Sequence, residues 1–185
     1  MTAQKDVVVL VGSLREASIS RKVAKALQAL APAGMRLDIT EVADLPFYNQ
    51  DLDTAAPPTA WATFRDRLRR CDAVLYVTPE YNRSIPAVLK NAIEVGSRPY
   101  GKSVWNGKPG AVVSSSPGLL GGSAAAFHLR QVLTNVNVLT LQQPEVYLSG
   151  ADRLFDESDA LTNESTRGFL ESFLRVFEAW VGKPS

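Results

Sequence analysis

Apolar and polar positions follow two periods along this chain, and the switch between them marks a repeating strand–helix order. Val7 through Val11 is an unbroken apolar run. Such a run, unlike a one-in-two alternation, predicts a strand buried on both faces. Ile19, Val23, Ala26, Leu27 and Leu30 follow at helical spacing. The same reading predicts strands over 6–11, 36–41, 72–78, 109–115 and around 136–141. It predicts helices over 18–31, 58–70, 84–96, 122–134 and 163–181. The last helix carries a wide apolar stripe: Phe169, Phe173, Phe177 and Trp180 beside Leu170, Leu174 and Val181. Alternation of this kind builds an α/β three-layer sandwich, a parallel sheet with helices on both faces. Right-handed crossovers restrict the winding, and five strands suit the order 2-1-3-4-5. Tyr48 to Pro58 and Pro99 to Pro109 read as loops, the first near the ligand edge of the sheet. Leu148 to Asn163 reads as a polar excursion over the surface. Residues 1–185 are expected to form one domain with a sizeable core.

Candidate chemistry gathers where the first strand empties into the first helix. Gly12-Ser13-Leu14-Arg15-Glu16-Ala17-Ser18-Ile19-Ser20 is a short loop of glycine, hydroxyls and one arginine. The first N–H groups of a helix lack partners within it, and the helix dipole favours negative charge there. Ser13, Ser18 and Ser20 can donate to phosphate oxygens, and Arg15 can add a charge-assisted bond. The plainer alternative makes Ser18 an N-cap and Ser13 a turn residue. The chain lacks both the G-x-x-x-x-G-K-[ST] loop and the G-x-G-x-x-G dinucleotide fingerprint. A hydroxyl-rich loop suits a terminal monophosphate, whose oxygens take many donors. The 5′-phosphate of FMN fits, and flavodoxin-like doubly wound folds hold FMN at their switch point.

A second buried strand, Asp72 to Thr78, ends in Pro79-Glu80-Tyr81-Asn82-Arg83-Ser84-Ile85-Pro86 and runs into Ala87-Val88-Leu89-Lys90-Asn91-Ala92-Ile93-Glu94. The pair of segments, Gly12 to Ser20 and Pro79 to Ile93, resembles the NAD(P)H-dependent FMN reductases of the flavodoxin-like superfamily, in the branch of the bacterial quinone and chromate reductases. Leu45-Pro46-Phe47-Tyr48-Asn49-Gln50-Asp51, Ser115-Ser116-Pro117-Gly118 with Gly121-Gly122, and His128-Leu129-Arg130-Gln131 are similar to that branch too. Arg83 departs from it, since the position is often aromatic there. The resemblance implies that Ser13, Leu14, Arg15, Ser18, Ile19 and Ser20 wrap the FMN phosphate. It implies that Pro79, Glu80, Tyr81 and Asn82 line the isoalloxazine, and that Ser115, Ser116, Pro117 and Gly118 approach it from the other side. A homodimer or homotetramer is implied as well. The charges offer Glu145 as an acidic partner for Arg130 across an interface, against the plainer alternative that His128 and Arg130 form a solvated helix edge.

Composition narrows the remaining classes. Twenty basic and 19 acidic residues leave a net charge of +1, which calls for neither nucleic acid nor membrane surface. Arg65, Arg67, Arg69 and Arg70 read as the solvated side of a helix whose apolar face is Trp61, Phe64, Leu68 and Cys71. No segment is long enough to span a bilayer, and no signal-peptide core is readable. A single cysteine permits no internal disulfide and fits a reducing cytoplasm. The single His128 has no neighbours at ligand spacing, so no metal is expected.

The expectation is an enzyme that uses NADPH or NADH as co-substrate and passes hydride through FMN N5 to quinones in ping-pong order. Chromate, azo dyes or free flavin are further acceptors. The cofactor carries the chemistry, so no catalytic side chain is expected. Glu80 braces its loop, and the backbone N–H groups of the Ser115–Gly118 turn face the charge that the reduced ring develops. Two rivals stand against this reading. One is a flavodoxin-type electron carrier, disfavoured by the near-zero net charge. The other is a module that keeps the fold without the flavin, disfavoured by the polar residues in both flavin loops.

Overall fold

The computed structural model describes residues 4–183. Its middle layer is a parallel sheet of β1 (Lys5–Val11), β2 (Met35–Ile39), β3 (Ala73–Thr78), β4 (Pro109–Ser115), β5 (Leu139–Thr140) and β6 (Val146–Leu148). The order is β2-β1-β3-β4-β5, as the alternation predicts, and β6 pairs with β4 on the same edge as β5. The helices are α1 (Ile19–Ala29), α2 (Thr59–Arg70), α3 (Ala87–Ser97), α4 (Ser123–Asn135) and α5 (Glu164–Val181).

The two faces of the sheet carry separate cores. Val7, Val9 and Val11 of β1 pack with Val23 and Leu27 of α1 and with Leu170, Phe173, Leu174 and Phe177 of α5. Val8 and Leu10, pointing the other way, pack with Trp61, Leu68, Leu89, Ile93, Trp105 and Leu129. The pleat thus splits one continuous apolar run between two layers. Phe169, expected in the stripe of α5, is 39% exposed at its border.

The fifth strand differs from its prediction. The Val136–Val138 stretch, read as strand, closes α4. Asn137 takes a left-handed φ of 58°. The N–H of Val138 donates to Leu133 O at 3.0 Å, and that of Asn137 to Thr134 O at 3.1 Å. These are the two bonds of a Schellman cap. The edge then pairs in two short pieces with Pro144 between them, a residue that cannot donate to a ladder. The third helix also starts later than residue 84, because Ser84 pairs back to Tyr81 and Pro86 precedes the first turn.

Arg65 overturns the reading of a solvated basic face. It is 3% exposed, and its NH1 and NH2 reach Asp53 Oδ1 and Oδ2 at 2.9 and 3.1 Å. Its Nε donates to Val95 O at 2.8 Å. Arg67 bridges Asp6 of β1 and Asp38 of β2. Of the four arginines, Arg69 and Arg70 are the two that stay exposed. Arg65 pins the loop between β2 and α2, which includes a short 3-10 turn at Gln50–Leu52. Asn91 of α3 holds the same loop one turn higher, bonding Leu45 O, Pro46 O and the N–H of Tyr48.

Candidate active site

Parallel strands end on a common edge, so the loops after β1, β3 and β4 lie side by side. Those loops, with the first turn of α1 and the last residue of β4, carry the candidate cofactor residues named from the sequence. They touch: Ser20 Oγ and Ser115 Oγ lie 3.1 Å apart, joining the first loop to the third. A Cβ added at Gly12 would stand 3.2 Å from Pro79 Cδ, so the first loop passes tightly over the second.

The first loop opens into α1. Ser18 is its N-cap, accepting from the N–H of Arg21 at 3.1 Å. The plainer alternative for Ser18 therefore holds as far as it goes, but its neighbours remain available. Ser13, Ser18 and Ser20 are all nearly buried, at 4%, 2% and 2% exposure. The N–H groups of Leu14 to Ala17, and of Ile19 and Ser20, meet no acceptor among the described residues. Leu14 and Arg15 are exposed at the rim. Unpaired N–H groups, hydroxyls and a cation around a helix N-terminus form the donor set that a phosphate monoester requires.

The second loop is a tight hairpin. Tyr81 and Ser84 exchange both backbone bonds at 3.0 Å, with Asn82 at φ 52° and Arg83 at φ 64° between them. Positive φ at both central residues is the type I′ geometry. Helix α4 braces this hairpin twice. Glu80 Oε2 accepts from the N–H of Ala125 at 3.2 Å, satisfying an open donor of the first turn of α4. Ser84 Oγ meets His128 Nδ1 at 2.7 Å. Glu80 also holds Arg83, whose NH1 lies 3.2 Å from Oε1. Loop bracing by Glu80 is thus the observed arrangement.

The third loop departs from expectation. The N–H of Ser116 donates to Leu148 O at 3.0 Å, that of Gly118 donates to Ser116 Oγ at 3.0 Å, and Pro117 has none. This turn spends its donors on its own shape. In the hairpin, the N–H groups of Glu80, Asn82 and Arg83 meet no acceptor among the described residues. Gly121 and Gly122 follow with φ of 58° and 78°. A Cβ at Gly121 would stand 2.7 Å from the Tyr147 carbonyl carbon, which explains glycine there.

Each loop also presents apolar surface. Leu14 is 51% exposed, Tyr81 44%, Leu119 93% and Leu120 58%. A phosphate donor set beside exposed apolar side chains suits a ligand with an anionic group and an apolar body. A groove of about 820 Å³ runs elsewhere, between α3 and α4, lined by Tyr48, Lys90, Glu94, Arg98 and Gln131 among others.

Sequence reasoning placed these loops and missed their supports. Asn91 is one, although a polar residue among Leu89, Ala92 and Ile93 on a buried helix face signals such a strut. Within the chain, Arg130 NH1 donates to Leu141 O at 2.9 Å, while its buried Nε meets no partner among the described residues. Tyr147, packed beside that arginine, has its phenol pushed up to about 12, chiefly by burial and then by Glu145. No helix among the described residues is long and apolar enough to cross a membrane.

Comparison with known proteins agrees with this geometry. The family model for NADPH-dependent FMN reductases matches residues 6–153. A quinone reductase of Pseudomonas putida is 55% identical over 181 residues, covering 98% of this chain and 97% of that protein. A 2-hydroxy-1,4-benzoquinone reductase of a Burkholderia species is 42% identical, covering 95% of each. Among solved structures, the NAD(P)H:(acceptor) oxidoreductase FerB of Paracoccus denitrificans superposes with a TM-score of 0.90 at 40% identity, covering 96% of this chain and 97% of that one.

Proposed function

The chain belongs to the NADPH-dependent FMN reductase family, and from that premise we propose that it is an FMN-dependent NAD(P)H:quinone oxidoreductase. The net reaction converts NAD(P)H, a proton and a quinone into NAD(P)+ and a hydroquinone. FMN supplies the two-electron relay when bound. The observation that carries this reading is the joining of two site halves on one sheet edge: the buried hydroxyls of Ser13, Ser18 and Ser20 beside open N–H groups, and the apolar-rimmed hairpin of Pro79 to Asn82.

In this reading Ser13, Arg15, Ser18 and Ser20 hold the phosphate through side chains, and Leu14 and Ile19 through backbone N–H groups. Pro79, Glu80, Tyr81 and Asn82 hold the ring. The Glu80 carboxylate keeps the hairpin on α4, and the hairpin N–H groups orient toward charge at the ring edge. The turn from Ser115 through Ser116 and Pro117 to Gly118 closes the other side by shape, its N–H groups being engaged. No side chain is assigned a catalytic proton. NAD(P)H leaves before the quinone enters, because one apolar cleft serves both flat molecules in turn.

The remaining assignments rest on the family and on composition. The whole chain, 1–185, is one flavodoxin-like domain. It works as a homodimer or homotetramer in the cytoplasm. The groove between α3 and α4, together with the exposed Phe47 and Phe127, offers surface for a second copy. His128 Nδ1 and Arg130 NH1 are engaged within the chain, which leaves His128 Nε2 and the remaining Arg130 donors for that copy.

The test is NADPH oxidation by the purified FMN-loaded protein with benzoquinone and no other protein present. Sustained turnover is expected. An electron carrier would stay idle until a separate reductase was added, and that outcome would reject the enzyme.

A further inference from the structure

Arg83 occupies a backbone position that works against it. It is the second central residue of a type I′ hairpin, at φ 64°, where glycine relieves the strain a side chain creates. An observed outlier of this kind points toward a role for the side chain. The guanidinium is 72% exposed at the hairpin tip, and a single contact to Glu80 at 3.2 Å orients it. Its remaining N–H donors face solvent beside the residues assigned to the ring.

The charges around it determine what it can attract. Glu80 is its acidic neighbour, and that carboxylate is shared with the N–H of Ala125 at the positive end of α4. His128, on the same helix, is bonded to Ser84. Arg15 adds a second cation on the adjacent loop, next to Glu16. The FMN phosphate belongs to the first loop. Arg83 adjoins Tyr81 and Asn82 in the hairpin, so a flat ligand held over the ring assigned to those residues would have its edge within reach of the guanidinium, whose paired donors suit oxygens held in a plane.

Resting on the quinone reading above, we propose that Arg83 determines acceptor specificity and favours anionic quinones, those with an ionised hydroxyl or a carboxylate on the ring. A 2-hydroxyquinone is a vinylogous acid, ionised at neutral pH, and its charged O2 stands in the ring plane next to the C1 carbonyl oxygen, an adjacent pair of acceptors that a guanidinium fork can span.

The experiment compares 2-hydroxy-1,4-naphthoquinone with its neutral 2-methoxy analogue in the wild type, Arg83→Gly and Arg83→Lys. Glycine suits the turn, so the first variant folds. The ratio of kcat/KM for the hydroxy over the methoxy compound should fall about five- to ten-fold in Arg83→Gly, since an exposed pair is partly screened. Lysine should restore part of it. Added salt should lower the wild-type ratio and leave that of Arg83→Gly flat. An unchanged ratio in Arg83→Gly overturns the proposal. So does a fall confined to the NADPH-over-NADH preference, which would make Arg83 a reader of the 2′-phosphate. A wild type that reduces neither quinone rejects the quinone reading itself, and this inference with it.

Discussion

Replacing Arg65 with Met should be among the most damaging single changes to stability that this chain can suffer. The side chain and that of Asp53 are 3% and 4% exposed. Two bonds join them at 2.9 and 3.1 Å, a third runs from Nε to Val95 O, and the guanidinium sits 5.6 Å from the Trp61 ring centre. Methionine fills much of the volume but leaves the Asp53 carboxylate buried without its counter-charge. Removing one partner of a buried pair costs about 3–5 kcal/mol. For a chain of this size that corresponds to a loss of roughly 6–20 °C in Tm. Thermal unfolding followed by circular dichroism reads it. The double variant Arg65→Met, Asp53→Leu should recover a large part of the loss, because the stranded charge is gone. An arginine on a solvated face would change stability by no more than about 0.5 kcal/mol. A Tm within a degree or two of wild type, or a double variant no better than the single, would refute the account of this pair.

Three further outcomes follow from the site and the core. Arg15→Ala should weaken FMN by about 1.5–3 kcal/mol, the worth of a charged hydrogen bond, in a fluorescence titration of apo-protein; equal dissociation constants would remove Arg15 from the phosphate site. Asn82→Leu should weaken FMN and shift its reduction potential, since it changes a residue proposed to line the ring and disfavours the left-handed φ of 52°; an unchanged affinity and potential together would show that the hairpin faces elsewhere. Cys71, 5% exposed and with its thiol pushed up by burial, should react with a disulfide reagent far more slowly in the folded protein than after denaturation, and equal rates would contradict its packing role.

The parts of this structure written in local chemistry were readable in advance. Val7 to Val11 shows its strand because burial on both faces leaves no polar position. Ser18 and the loop before it show a helix start because hydroxyls are the residues that cap. Part of what escaped the sequence depends on partners distant in the chain. Arg65 reads as solvated until Asp53, 12 residues away, folds over it. The donors of Ser116 and Gly118 read as free until Leu148 and the Ser116 hydroxyl take them. Val136 to Val138 carries the β-branched residues of a strand, yet a helix cap at Asn137 claims it. Distant partners decide for Arg65 and Ser116, and local bonds, to Ser116 Oγ for Gly118 and to Leu133 and Thr134 for the cap, decide for the rest.

The most direct measurement of the central claim is an anaerobic titration of the FMN-loaded protein, watched in the visible flavin band. NADPH alone should bleach the band in proportion to the amount added, and benzoquinone given after the NADPH is spent should restore it completely. A band that resists NADPH unless the quinone is already present, or that stays bleached when quinone is added, would contradict one cleft serving the two substrates in turn.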